Sequence, residues 1–215
     1  MSLIYEYVPR KEYQPVKNEL IELINLVQNE VREYFTFTYE FIGSASRNMI
    51  TRAVNSNTGY DFDVNLRVND NENRYSAKEI KDILMNGFNA YARYFEYDYC
   101  EDSKRVITIK VKDSGNSRIL HSCDFAIVND YVDDNGYEKQ EYIHFNKKQN
   151  TYEWQEQPDG FYGLPEKIQW IKDEGLWQEV RDRYLENKNS NLAFTKKSRS
   201  IFAETVAQVF SMHCN

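Results

Sequence analysis

The sequence predicts an α+β fold, in which a mixed β-sheet flanked by helices precedes a short C-terminal helical part. Three observations predict it. Alternation of apolar and polar residues, which is typical of strands, recurs at 35–42, 60–68, 104–112 and 118–128. Segments with helical spacing lie before and between these strands, at 16–34 and 77–94. From residue 165 onward only helical patterns follow, so we expect a domain at 1–160 and a helical segment packed on it at 161–215.

Each helix and hairpin is predicted by its own pattern. The first helix carries apolar residues at helical spacing from Leu20 to Val31, with Pro15 in its first turn, where a proline is tolerated. Ser76 and Glu79 form a capping box that opens the helix at 77–94. The pattern allows 45–54 to be a short helical segment, and 137–157 is interpreted as a β-hairpin. Three further helices are expected at 165–175, 176–186 and 197–212.

The composition describes a globular chain with an acidic surface. The 215 residues include 27 Lys and Arg against 34 Asp and Glu, a net charge of −7, and 41% hydrophobic residues suffice for a core. No stretch approaches the ~20 apolar residues that span a bilayer, and no secretory signal is visible. The acidic charge argues against extended binding of nucleic acid. Three cysteines without paired spacing indicate a reducing compartment, and we expect a cytoplasmic protein.

Three acidic residues lie within predicted strands, where acidic side chains are depleted and costly to bury. Asp61 and Asp63 are two positions apart, so their carboxylates point to the same face of the strand. Asp124 lies among apolar residues of the strand 118–128. Like charges this close repel unless a cation compensates them. Because Mg²⁺ prefers carboxylate oxygens, the pattern indicates two metal ions that bridge a triphosphate, although Asp-x-Asp alone is also typical of a solvated strand end.

Gly43 and Ser44 follow the aromatic strand 35–42, ahead of the segment that the pattern allows to be helical. The N-terminus of a helix presents unpaired backbone N–H groups, and the Ser44 hydroxyl adds another donor, so a phosphate can be held there. A plain helix cap is the alternative interpretation, and it is compatible with phosphate binding. The ordered set of strand, Gly-Ser, strand with Asp-x-Asp, helix and strand with Asp is more specific than its parts.

The motifs of the DNA polymerase β-like nucleotidyltransferase superfamily resemble three segments of this chain, Phe41–Ser44, Tyr60–Val64 and Cys123–Ile127. The helices at 16–34 and 77–94 resemble the branch that holds oligoadenylate synthetases, cyclic-dinucleotide-type synthases and their bacterial relatives. The resemblance covers residues 15–130. It implies a nucleotidyltransferase-type fold and Mg²⁺-dependent transfer of a nucleoside monophosphate from an NTP, ATP or GTP, to a hydroxyl acceptor, with release of pyrophosphate.

The resemblance also implies a role for each motif. Gly43 and Ser44 would hold the β- and γ-phosphates of the nucleotide. Asp61 and Asp63 would bind both metal ions, which are Mg²⁺ with Mn²⁺ as a possible substitute. Asp124 would complete the second metal site and help to deprotonate the attacking hydroxyl.

A lysine and a serine of the helical part touch the triphosphate in similar enzymes. In this chain the candidates for these contacts are Lys196 or Lys197 together with Ser198. A solvated basic turn is the alternative interpretation of these residues. The helical part is short for a domain that closes over the nucleotide. Ser44 and Asp61 are 17 positions apart, longer than the usual run in this family, so 52–59 is interpreted as an inserted loop.

Two other functions stay open at this point. One is a non-catalytic nucleotide-binding or regulatory protein of the same fold, and the other is the nucleotidyltransferase partner of a toxin–antitoxin pair that acts on a protein. The presence of all three carboxylates favours catalysis, because a buried acidic cluster without metal is a liability. His121 and Cys123 share a strand face as in zinc sites, but no second pair of ligands lies near in sequence, so we interpret them as core residues.

Overall fold

The computed structural model describes residues 3–70, 72–158, 160, 163–191 and 196–214. Its strands are β1 (Tyr5–Tyr7), β2 (Thr36–Ile42), β3 (Thr51–Ala53), β4 (Tyr60–Asn69), β5 (Glu101–Asp102), β6 (Ile107–Asp113), β7 (Arg118–Val132), β8 (Glu138–Asn146) and β9 (Thr151–Glu156). Its helices are α1 (Arg10–Val31), α2 (Gly43–Ser46), α3 (Ala77–Tyr91), α4 (Leu164–Asp173), α5 (Trp177–Ser190) and α6 (Ser198–His213). Within these residues, no helix combines the length and the apolar character needed to cross a membrane.

The contacts divide the chain into two compact units. The larger unit contains Val8–Ile50 and Asn57–Gln157, and the smaller one contains Met1–Tyr7, Thr51–Ser56 and Pro158–Asn215. The division of the chain at residue 160 into two domains stays a prediction, since compactness alone does not test independent folding.

The larger unit is built on a seven-stranded mixed sheet. Its strand order is β2-β4-β7-β6-β5, with β8 paired to β7 and β9 paired to β8. β4 and β7 run parallel, and the other neighbours run antiparallel. The first part of the 15-residue strand β7 pairs with β4 and β6, and its last part pairs with β8. This mixed sheet with flanking helices confirms the predicted α+β fold class.

Helices α1 and α3 pack with one face of the sheet into the hydrophobic core. Phe88 of α3 stacks on Phe125 of β7 with 4.3 Å between ring centroids. Gly87 lets α3 approach α1, because a Cβ there would lie 3.1 Å from a methyl group of Val27. The buried apolar residues of β4 are Phe62, Val64 and Leu66, and they belong to the same cluster. Burying each such side chain contributes roughly 1.5–3 kcal/mol.

A buried ion pair fixes the short strand β5 against α3. The Nζ atom of Lys81 lies 2.6 Å from the Oδ1 atom of Asp102, and the Lys81 side chain is 1% exposed. Lys81 also donates to the carbonyl oxygen of Ser103, and the Tyr152 hydroxyl donates to Asp102 Oδ2 at 2.5 Å. A charge this deeply buried requires such partners, so the network holds residues 101–103 in one position.

The smaller unit joins a two-stranded sheet to three helices. β1 pairs antiparallel with β3, and the Tyr7 hydroxyl donates to the carbonyl oxygen of Arg181 in α5. α4 and α6 meet where Trp170 packs edge-on against Phe210, with 5.0 Å between ring centroids. The three C-terminal helices therefore form as predicted, within a few residues of the expected bounds.

Several local predictions differ from the structure. α1 begins at Arg10, so Pro15 is its sixth residue and removes one interior hydrogen bond instead of lying in the first turn. Residues 45–54 are not one helix. α2 ends after a single turn because Asn48 adopts φ 55°, and the backbone N–H of Met49 bonds the carbonyl oxygen of Ser44. The interpreted loop at 52–59 begins within β3, which pairs with the N-terminal strand β1.

Candidate active site

The register of β4 and β7 brings the three predicted aspartates to one face of the sheet. Asp63 and Asp124 are direct partners across the parallel pair, and Ser122 is the partner of Asp61. Residues that pair directly point to the same face, and residues two apart on one strand share that face. Phe62 and Cys123 point to the opposite face and are fully buried. One side of the sheet therefore carries core residues, and the other carries the carboxylates.

Gly43 lies directly beside this cluster, at the turn from β2 to α2. Ile42, the last residue of β2, is the partner of Asp63. Gly43 has φ +61°, and a Cβ added there would lie 2.6 Å from the Oδ2 atom of Asp63. Only glycine combines this backbone conformation with so close an approach. Ser44 follows as the second residue of α2, so the predicted Gly-Ser turn and the carboxylates are neighbours, although α2 has only four residues.

Burial and mutual repulsion disfavour the charged forms of the carboxylates in this cluster. Burial, followed by the charges of Asp124 and Asp61, raises the pKa of Asp63 to about 6, and the positive charge of Arg47 opposes this rise. Burial also raises the pKa of Asp124, and the hydrogen bond from Thr108 partly opposes the shift. A divalent cation would favour the charged forms of both carboxylates, because it would add positive charge beside them.

Two hydroxyl groups contact the carboxylates from the neighbouring strands. Thr108 Oγ1 on β6 donates to Asp124 Oδ1 at 2.6 Å, and Ser122 Oγ on β7 donates to Asp61 Oδ1. Each donor is the direct ladder partner of the aspartate that it contacts. These hydrogen bonds stabilise the charged carboxylates without neutralising them.

A cavity of about 410 Å³ opens on the β6 side of the cluster. Its size lies in the usual range for ligand sites, roughly 300–1,000 Å³. Lys110 and Glu101 form an ion pair of 2.6 Å at its wall. The residues that line it are Thr58, Gly59, Asp61, Glu101, Ser103, Thr108, Lys110, Ile119, Ser122 and Asp124.

The donor set suits a hard divalent cation, because it consists of carboxylate oxygens. Across the described part of the chain, no group of three or more His, Cys, Asp or Glu side chains is arranged to hold a metal ion. Asp61 and Asp124 each accept a hydroxyl hydrogen bond on one oxygen, which leaves the other oxygen of each carboxylate for a cation.

The other predicted binding residues belong to the smaller unit. Lys196 forms an exposed ion pair with Glu204 at 2.7 Å. Lys197 occupies the N-cap position of α6 without a side-chain cap hydrogen bond, and Ser198 is the first residue of the helix. The side chains of Lys196, Lys197 and Ser198 are exposed, so a ligand could reach each of them without local unfolding of the helix.

His121 and Cys123 pack as core residues, as interpreted from the sequence. The His121 ring stacks on Tyr60 at 5.8 Å and meets the edge of Tyr97 at 5.5 Å. Burial lowers the pKa of His121 to about 4 and raises that of the Cys123 thiol, which is fully buried.

Sequence reasoning missed the polar residues around the carboxylates. Arg47 follows the Gly-Ser turn, and its positive charge acts on Asp63. Thr108, Lys110 and Ser122 were not identified. Their signal was available, since each lies two residues from the next polar position of a strand whose other face is apolar. Which aspartate each one contacts depends on the strand register, which a single sequence does not contain.

No family model matches the chain, and no curated protein matches it. Its fold matches solved structures of CD-NTases. The STING-associated CdnE c-di-GMP synthase of Capnocytophaga granulosa is 17% identical with a TM-score of 0.58, covering 98% of this chain and 64% of that one. A variant of the Vibrio cholerae di-nucleotide cyclase DncV, in complex with ATP and GTP, is 12% identical with a TM-score of 0.54, covering 94% and 55%.

The CD-NTase CdnG of Bradyrhizobium diazoefficiens, in complex with GTP, is 11% identical with a TM-score of 0.53, covering 77% of this chain and 43% of that one. The chain thus spans 43% to 64% of the length of these neighbours. At such identities the match concerns the architecture of the chain. The chain therefore has a nucleotidyltransferase-type fold like that of the CD-NTases, which is the fold that its motifs predict.

Proposed function

We propose that this chain is a nucleotidyltransferase that transfers a nucleoside monophosphate from ATP or GTP to a hydroxyl acceptor, with release of pyrophosphate. The observation that carries the proposal is the register in which Asp63 pairs with Asp124 while Asp61 lies two residues away on the same face. The CD-NTase fold supports it, as do the nucleotides in two neighbouring structures, GTP with CdnG and both ATP and GTP with DncV.

Two Mg²⁺ ions, or Mn²⁺ in their stead, are the proposed cofactors of Asp61, Asp63 and Asp124. When bound, the ions would neutralise charge on the triphosphate and polarise the α-phosphate. The raised pKa values of Asp63 and Asp124 support this assignment, because a cluster that repels itself gains most from a divalent cation. Asp124 would also help to remove the proton from the attacking hydroxyl.

The β- and γ-phosphates would lie against Gly43 and Ser44. The absence of a side chain at Gly43 lets this turn lie directly beside Asp63, so phosphates held there would be close to the carboxylates, and the Ser44 hydroxyl would add a donor. Lys196, Lys197 and Ser198 are proposed to contribute positive charge and a hydroxyl from the helical part. Their exposure supports a role in ligand binding.

The acceptor would enter the cavity on the opposite side of the carboxylates from Gly43. Asp61 and Asp124 line that cavity together with the hydroxyl-bearing residues Ser103, Thr108 and Ser122. A hydroxyl acceptor in this cavity would therefore approach Asp124, while the phosphates occupy the β2 side. This arrangement supports an attack on the α-phosphate from the side away from the leaving pyrophosphate.

The proposed compartment is the cytoplasm, and the proposed acceptor is a nucleotide or another small molecule. Cys100, Cys123 and Cys214 carry free thiols, which supports a reducing environment. The net charge of −7 supports a small acceptor over an extended nucleic acid.

A non-catalytic nucleotide-binding protein of the same fold is the second candidate. The observation that favours it is that, among the described residues, no group of three or more His, Cys, Asp or Glu side chains is arranged to hold a metal ion. Such a protein would bind a nucleotide without turning it over.

Incubation of the purified chain with each α-labelled NTP and Mg²⁺ or Mn²⁺, followed by mass spectrometry, tests the two candidates. We expect pyrophosphate and a nucleotide-linked product with ATP or GTP, and no product with EDTA. Metal-dependent NTP binding without turnover would favour the second candidate. Equal NTP affinity in EDTA and in Mg²⁺, with no turnover of any NTP, would contradict the proposed enzyme.

A further inference from the structure

Two buried hydroxyl groups lie at the carboxylate cluster, on strands other than those of the aspartates that they contact. Thr108 is 7% exposed and Ser122 is 9% exposed. Thr108 donates to Asp124 Oδ1 at 2.6 Å, and Ser122 donates to Asp61 Oδ1. A buried hydroxyl requires a partner, and each of these has found a carboxylate instead of a backbone carbonyl.

The sheet itself fixes both hydroxyls. Thr108 is the partner of Asp124 across the antiparallel pair of β6 and β7, and Ser122 is the partner of Asp61 across the parallel pair of β4 and β7. Direct partners stand side by side on one face, so donor and acceptor meet without any loop. Thr108 is β-branched, which restricts the rotation of its side chain and therefore the direction of its hydroxyl.

We propose that Thr108 and Ser122 are positioning residues that orient the Asp124 and Asp61 carboxylates for the metal ions. This inference rests on the proposed function. Each hydroxyl engages the Oδ1 atom, so the Oδ2 atom becomes the one presented to a metal ion. Hydrogen bonds to ligating carboxylates fix their orientation, and loss of such a bond typically weakens metal binding by roughly 10- to 100-fold.

Asp63 is oriented in a different way, by packing. Its Oδ2 atom lies where a Cβ at position 43 would come within 2.6 Å. The cluster thus combines two carboxylates held by hydroxyls with one held against a glycine. This division predicts which substitutions loosen which carboxylate, since the Thr108 and Ser122 hydroxyls act on Asp124 and Asp61 alone.

The test measures binding of Mn²⁺ to the full chain by the loss of the free-Mn²⁺ electron paramagnetic resonance signal. We expect Thr108→Val and Ser122→Ala to weaken Mn²⁺ binding by ~10-fold or more. Thr108→Ser keeps the hydroxyl and should restore binding to within roughly 2-fold of the parent, since the same hydrogen bond can form.

Thr205→Val is the matched control. Thr205 is a fully buried threonine of α6 that donates to the carbonyl oxygen of Ile201. Thr205→Val therefore replaces a buried hydroxyl group by a methyl group, as Thr108→Val does, but at a position away from the carboxylates. Thermal unfolding of every variant verifies folding, and Ser122→Ala, the smaller change, carries the test if Thr108→Val does not fold. We expect Thr205→Val to bind Mn²⁺ as the parent does.

The outcomes separate this inference from the proposed function. Parent-like Mn²⁺ affinity in Thr108→Val and Ser122→Ala, together with loss of binding in Asp124→Asn, would overturn the positioning role and leave the metal site standing. Equal losses in Thr108→Val and Thr108→Ser would overturn it as well, because the hydroxyl would then not be responsible. A parent chain that binds no Mn²⁺ would contradict the metal site, and the positioning role would fall with it.

Discussion

The two faces of strand β4 differ in burial and in charge, although their residues alternate along one backbone. Phe62, Val64 and Leu66 point into the core and are fully buried. Asp61 and Asp63 point to the other face, where burial and mutual repulsion raise the pKa of Asp63 to about 6. Burial of the core face stabilises the folded chain, whereas partial burial of neighbouring carboxylates on the other face destabilises it. The comparison teaches that the even positions of this strand chiefly determine its packing, whereas the odd positions carry the charge that the proposed chemistry uses.

The largest expected effect comes from the core face. Phe62→Ala should lower the free energy of unfolding by ~3–5 kcal/mol, because it removes a fully buried ring and leaves a cavity among packed side chains. Urea denaturation followed by circular dichroism measures the change.

Arg67→Ala is the control on the carboxylate face of the same strand. Arg67 pairs with Glu40 at 2.8 Å and Asp130 at 2.7 Å, and its side chain is 35% exposed. We expect it to change stability by less than ~1 kcal/mol. Equal losses in Phe62→Ala and Arg67→Ala would break the comparison between the two faces.

The second prediction concerns chemistry on the carboxylate face. Asp63→Asn keeps the shape of the side chain and removes one negative charge, so turnover of the NTP should fall by at least ~100-fold, equivalent to ~2.7 kcal/mol of transition-state stabilisation. The rate of pyrophosphate release at saturating NTP and Mg²⁺ measures it.

Asp130→Asn provides the matched control for this loss of charge. Asp130 lies on β7 but pairs with Arg67, away from the cluster, and is exposed. Its substitution should leave the rate unchanged. An active parent with an Asp63→Asn variant of equal rate would mean that the catalytic site lies elsewhere.

The same two-face logic explains what the sequence could predict. The period-two alternation of 60–68 predicted both the strand and the shared face of Asp61 and Asp63, because side-chain direction in a strand follows from position alone. The capping box of Ser76 and Glu79 predicted the start of α3, since both hydrogen bonds are local in sequence. Local patterns of this kind identified most of the fold and the order of its motifs.

What depends on distant pairing could not be read from the sequence. β1 is a three-residue strand that exists through its pairing with β3, and β5 has two residues and depends on β6 and on the buried Lys81. The hydroxyl of Thr108 reaches Asp124 only because β6 and β7 pair in one particular register. The identity of the carboxylates was thus predictable, whereas the residues that contact them were not.

The third prediction uses the pKa of Asp63. Its carboxyl group has a pKa of about 6 in the folded chain against an ordinary value of 3.8, so the folded state holds a proton that the unfolded state has lost. Without metal, the contribution of Asp63 to stability should therefore fall as the pH rises from 4 to 6 and then level off. Since one pH unit corresponds to about 1.4 kcal/mol, the loss should reach ~2–3 kcal/mol.

Urea denaturation in EDTA at several pH values measures this loss. Asp63→Asn should remove most of the decrease and be more stable than the parent above pH 6, whereas Asp130→Asn should follow the parent. Saturating Mg²⁺ should restore stability to the parent above pH 6, because a ligand that binds only the folded state stabilises it. A parent whose stability relative to Asp63→Asn does not fall between pH 4 and 6 in EDTA would contradict the raised pKa of Asp63.

The smallest expected effect concerns the contact between Gly43 and Asp63. Gly43→Ala should cost ~1–2 kcal/mol of stability, because an L-residue at φ +61° is strained. The new methyl group would also lie 2.6 Å from Asp63 Oδ2 and push that carboxylate aside. We therefore expect weaker Mn²⁺ binding in addition to the loss of stability.

Gly136→Ala separates these two effects. Gly136 has φ +84°, and a Cβ there meets no atom of the described residues within 4 Å, so the substitution brings backbone strain without a clash. It should lose a similar amount of stability, measured by urea denaturation, and keep the Mn²⁺ affinity of the parent. If Gly43→Ala also kept that affinity, the carboxylate face would tolerate displacement of Asp63, and the glycine would serve the backbone turn rather than the metal site.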